Sequence, residues 1–228
     1  MKMYQALFLL LITMNTALAN AATDKTDPGN ASSIAQLRFL DKQEEIAMAL
    51  SAGPEHVRAE ASVFVFGRAG YEKVKQGSNG FICLVNRDGQ QNGGDTLRPT
   101  CWDTEGSAAI VPVMLRVGEL LAQGQSAIEI KHDIDAGYSD GRFFAPRKSG
   151  IAYMLLGDIR YDHTSKTTIS LFPGHYMIYA PGVTNADIGL SKTAKHAHSG
   201  LPSIYAGYSG GAHNAYLIVL ATPVNGSH

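Results

Sequence analysis

Cysteine is scarce in this 228-residue chain: Cys83 and Cys101 are the only two. They enclose 17 residues, far from a Cys-x-x-Cys spacing, so a structural disulfide is expected rather than a redox catalyst, a redox switch or paired metal thiolates being the alternative. Charge of one sign is equally scarce. Lysine and arginine number 19 against 20 aspartate and glutamate. Such a chain lacks the concentrated positive charge that nucleic acid or an anionic membrane requires. After the first two dozen residues, no apolar run approaches the ~18 residues of a membrane span. Internal repeats, heptads and nucleotide-binding glycine fingerprints are missing as well, so no cofactor is expected.

What is present begins at the N-terminus. Lys2 precedes an apolar run from Ala6 to Met14 that is too short to cross a bilayer. Ala17-Leu18-Ala19 and Ala19-Asn20-Ala21 are small-residue cleavage sites. That order predicts a signal peptide over residues 1–21 and an oxidising destination, the periplasm or the exterior of a bacterial cell. There the two cysteines form a Cys83–Cys101 disulfide, worth ~3 kcal/mol in the chain-entropy model. No cysteine follows the cleavage sites, so a lipoprotein anchor is not expected, and the cleaved protein has no membrane partner. Losing Lys2 leaves 18 basic against 20 acidic residues.

Hydrophobic residues make up 45% of the chain, enough for a substantial core. Residues 22–33 read as a disordered linker, rich in Asp, Thr, Asn and Gly without apolar period. Residues 34–224 read as a single domain. Asp41 and Glu44 give an N-cap pattern for a helix stopped by Gly53-Pro54, with a possible start near Ile34. Ser62–Gly67, Tyr71–Lys75 and Phe81–Val85 read as a three-stranded meander, with a hairpin turn at Gly77–Gly80. Arg87–Thr100 reads as a polar loop that the disulfide ties to the third strand. Pro112 and Ser126-x-x-Glu129 start two helices of a helical hairpin. Ile151–Leu156, Tyr176–Ala180 and Tyr216–Ala221 are further strands, with mostly loop between the last two. The expected fold is α+β, a mainly antiparallel sheet with an N-terminal helix and a helical hairpin.

Several residues could carry chemistry. Gly207-Tyr208-Ser209-Gly210-Gly211 matches G-x-S-x-G, but a strand follows it rather than a helix, and no Asp or Glu remains downstream. It reads as a surface loop. His196 and His198, two apart on an extended chain, point the same way and could bind zinc, copper or nickel with His213 as a third ligand. His175 beside Asp187 or Asp103 is the minimum for general acid–base work. Asn185 and Tyr179 are candidate ligand-binding groups. The plain structural alternative is that Asp103 and Asp187 belong to turns, Asn185 makes an Asx-type bond and His175 is half-buried.

Four blocks resemble a group of uncharacterised exported bacterial proteins. They are Asn79-Gly80-Phe81-Ile82-Cys83-Leu84-Val85, Pro99-Thr100-Cys101-Trp102-Asp103, Gly141–Pro146 and Tyr179-Ala180-Pro181-Gly182-Val183-Thr184-Asn185-Ala186-Asp187-Ile188-Gly189. The resemblance implies one domain over most of the cleaved chain and assigns no catalytic residue. The leading expectation is an exported, non-enzymatic protein that binds a ligand or partner. The alternatives are an extracytoplasmic hydrolase using His175 with an aspartate, and a histidine-rich metal binder.

Overall fold

The computed structural model describes residues 37–87, 96–190, 200–207 and 210–221. The expected signal peptide and linker, together with His196, His198, Tyr208 and Ser209, lie outside them.

Helix α1 (Lys42–Ser51) starts on its expected cap, where the Asp41 carboxylate accepts the Gln43 N–H at 2.9 Å. Residues 37–41 are not helical. After a short turn of helix, α2 (Glu55–Arg58), come strands β1 (Ser62–Gly67), β2 (Gly70–Lys75) and β3 (Ile82–Asn86). They do not form a meander. β2 pairs antiparallel with β1, whereas β3 crosses to the other side of β1 and runs parallel to it. The Gly77–Gly80 segment is therefore a crossover. The Asn79 amide donates to the Val57 carbonyl at 2.7 Å, and the Ser78 N–H to Glu60 O at 2.9 Å. A Cβ on Gly77 would stand 2.2 Å from that same Glu60 oxygen, so only glycine lets the loop lie this close to β1.

The expected loop before Cys101 ends instead in β4 (Thr96–Trp102), antiparallel to β3 with Cys101 opposite Cys83. The disulfide joins two neighbouring strands and is fully buried. Pro99 obscured this strand. On the side of β4 away from β3, among the described residues, β6 pairs at Thr96 and Leu97, and β5 at Cys101 and Trp102. Pro99 lies in the gap between them, where a residue without N–H is tolerated.

Helices α3 (Thr104–Ala109), α4 (Val111–Ala122) and α5 (Ala127–Ser139) follow. Pro112 sits in the first turn of α4, and Ser126 with Glu129 forms the expected capping box on α5. The chain finishes with β5 (Ile151–Met154), β6 (Asp158–Asp162), β7 (Thr167–Phe172), β8 (His175–Tyr179), β9 (Ser203–Ala206) and β10 (Ala215–Leu220). Among the described residues the sheet has ten strands; its main path is β2-β1-β3-β4-β5-β8-β10-β9, and the β6–β7 hairpin branches from β4. The fold is α+β and largely antiparallel.

Strand alternation divides the core in two. On one face Leu84, Trp102, Ala152, Met177 and Tyr179 pack against Val113, Val117 and Leu121 of α4 and Ile130 and Ile134 of α5. On the other face Val63, Cys83, Val85 and Cys101 pack against Ala49 of α1 and Ile159 and Tyr161 of β6. A buried ion pair fastens α1 to the end of β3. Arg87 Nη1 meets Glu45 Oε1 at 2.9 Å, and the same carboxylate oxygen accepts the Phe66 N–H at 3.0 Å. Among the described residues, no helix is long and apolar enough to cross a membrane.

Candidate functional site

Asp103 stands where β4 hands over to α3 and β5. Its Oδ1 accepts the Gly106 N–H at 3.0 Å and the Tyr179 hydroxyl at 2.8 Å, while Oδ2 accepts the Ile151 N–H at 2.8 Å. The Tyr179 oxygen also lies 2.9 Å from the Ile151 carbonyl, so one hydroxyl proton faces two acceptors. Two glycines close the space around the pair. A Cβ on Gly106 would fall 2.1 Å from the Tyr179 oxygen, and one on Gly150 would fall 2.4 Å from Asp103 Oδ2. Burial first, then the Asp103 carboxylate, pushes the Tyr179 hydroxyl far above its ordinary value. Tyr179 is therefore a fixed donor, and the carboxylate it holds is committed to closing a helix N-terminus and a strand start.

Nearby aromatic groups are engaged in the same way. Trp102 Nε1 donates to the Tyr216 hydroxyl at 3.2 Å. The Tyr138 hydroxyl donates to Asn214 Oδ1, and the Tyr138 ring stacks on the His213 ring with centroids 4.4 Å apart.

His175 sits at the opposite end of β8 from Tyr179, roughly 13 Å along the strand. It is 2% exposed, fully rather than half-buried. Its Nδ1 lies 2.8 Å from the Pro173 carbonyl, and its ring meets Phe172 edge-on at 5.0 Å. Burial pulls its pKa below the ordinary 6.5, against the opposing pull of the Pro173 carbonyl and of Asp158. The structure thus brings Asp103 to Tyr179, not to His175. Asp187 is exposed in the loop after β8, where its Oδ2 accepts the Thr184 N–H at 2.8 Å and the Thr184 hydroxyl at 2.7 Å.

Among the described residues Asn185 makes no local Asx bond. Its side chain reaches 19 residues along the chain to the backbone of Ile204 in β9, where it makes two hydrogen bonds. His213 is exposed against Tyr138. Among the described residues, no three His, Cys, Asp or Glu side chains gather as a metal site would require. The G-x-S-x-G match leads into a 3₁₀ turn, Gly211–Asn214, and then β10, not into an α-helix.

No polar candidate marks the surface left over. Opposite α4 and α5, pairing across β5, β8, β10 and β9 aligns Ile151, Ile178, Leu217 and Ile204 in one row, with Tyr153, Tyr176 and Val219 in the next. All seven are partly exposed. The signal was present in β8 and β10, whose strand runs are apolar on both faces. Comparison with known protein families, with curated proteins and with solved structures finds no match to this chain.

Proposed function

We propose that this chain is an exported, non-enzymatic binding protein, working in the periplasm or outside the cell, that meets an apolar surface of a partner macromolecule. The observation that carries the reading is the double apolar row on β5, β8, β10 and β9. It is broad and built on strands, and such a face suits a large partner better than a small molecule, which binds in concave pockets. The polar groups that would otherwise argue for catalysis are spent on the fold: Asp103 on α3 and β5, Asn185 on β9. Export rests on the leader-like N-terminus and agrees with a buried disulfide. The resemblance to exported bacterial proteins agrees with it too.

The test is the affinity of the folded, disulfide-intact protein for the apolar dye bis-ANS. Replacing Ile178 and Leu217 together with lysine should weaken binding at least tenfold while the near-UV spectrum is preserved. Equal dye affinity in the two proteins would overturn the reading.

A further inference from the structure

We infer that two copies of this chain associate by antiparallel pairing of β7 with β7, centred on Ile169. This inference concerns a different surface from the apolar sheet face and does not rest on it.

A strand edge exposes unpaired N–H and C=O groups, and proteins protect such edges with charge, bulges or cover. Among the described residues three strands end the sheet, and two are protected. β2 carries Glu72, Lys73 and Lys75, with Glu72 paired to Lys42 at 3.2 Å. β9 is held at Ile204 by the Asn185 side chain. The third, β7, pairs among the described residues only with β6. Its sequence, Thr-Thr-Ile-Ser-Leu-Phe, has no charge and no proline, and Ile169 is 57% exposed. The one irregularity in its pairing with β6 falls beyond Ser170, so Thr167–Ser170 is regular.

The hairpin that carries this edge is also tied at both ends. At the tip of the hairpin, Lys166 Nζ meets Glu44 Oε1 at 2.6 Å and the Tyr161 hydroxyl donates to Glu44 Oε2 at 3.1 Å. At its base, Arg98 Nε meets Asp158 Oδ2 at 3.0 Å. Ordering the strand therefore adds little cost to association.

A second copy fits this edge by its own sequence. A two-fold axis through Ile169 sets Ile169 against Ile169 on one face and Thr168 against Ser170, twice, on the other. Apolar–apolar and Thr–Ser pairs are both favourable cross-strand neighbours. Lys166 then falls opposite Phe172, so no like charges oppose each other anywhere in the register. The contact is one short strand per copy, below the ~1,200 Å² of a permanent interface, so the association is weak and reversible.

The test uses sedimentation velocity of the intact protein from about 5 to 500 µM, with oxidative cross-linking as the second measurement. The sedimentation coefficient should rise with concentration, and Ile169→Lys should abolish the rise without changing the thermal unfolding midpoint. Ile169→Cys should form a covalent dimer at least tenfold faster than Thr167→Cys or Arg160→Cys, because only residue 169 faces its own copy. A monomer at every concentration, or equal cross-linking rates at the three positions, would overturn the inference.

Discussion

The Asn185 side chain grips Ile204 by both of its backbone groups: Oδ1 accepts the N–H at 2.7 Å and Nδ2 donates to the carbonyl at 3.2 Å. An amide side chain here takes the place of a neighbouring strand. Asn185→Ala should cost about 1–3 kcal/mol, the usual penalty for leaving such groups unmatched. It should also make β9 adhesive. A lower urea midpoint with increased light scattering on concentration checks both, and an unchanged midpoint would deny the clamp any role.

The Asp103–Tyr179 pair predicts an ordering of variants. Tyr179→Phe removes one hydrogen bond and should cost about 1–2 kcal/mol. Asp103→Ala strips the acceptor from Tyr179, Gly106 and Ile151 together, uncaps α3, and should cost at least about 3 kcal/mol. Urea unfolding of the two proteins should show the larger loss in Asp103→Ala, and the reverse order would mean that Asp103 is not the hub described.

Glu45 and Arg87 form a charge pair with both side chains almost wholly buried. Glu45→Ala should lose about 3–5 kcal/mol, since it abandons a guanidinium inside the protein. Replacing both residues with methionine should recover much of that loss, because an apolar pair needs no counter-charge. Denaturant midpoints of the single and double variants decide the point; a double variant worse than the single one would contradict it.

His175 predicts a pH dependence with a defined sign. Its folded pKa lies below the ordinary 6.5, so the unfolded chain binds a proton that the native state refuses. Stability from this group is complete above pH 6.5. It falls as pH drops from there toward the folded value, and levels off below it. His175→Gln keeps an amide that can donate to the Pro173 carbonyl and should flatten this part of the profile. Urea midpoints at pH 7.5 and 5.5 should differ more in the parent protein than in the variant.

Much of the local structure was legible because it is written locally. The capping box of Ser126 and Glu129, the Asp41 cap and the apolar, aromatic and β-branched runs of β1, β8 and β10 are short-range signals. Pairing is not local. Gly77–Gly80 looks like a hairpin turn, yet contacts to Val57 and Glu60 make it a crossover. β6 alternates buried Ile159 and Tyr161 with three charged residues, a period-2 pattern hidden by its charge. Asn185 carried the right residue type for a turn, but its partner is 19 positions away and belongs to a strand that composition did not reveal.

The position of β10 makes two other strands depend on the last described stretch of the chain. Among the described residues it is the last strand in sequence, yet it lies between β8 and β9, supplying one neighbour to each. A chain interrupted before residue 215 would leave β9 without its strand partner, held only by the Asn185 side chain, and β8 without its β10 neighbour. During synthesis this flank of the sheet is thus completed only when β10 has been made, and its pairs with β8 join residues 37 to 45 positions apart, a separation that slows closure.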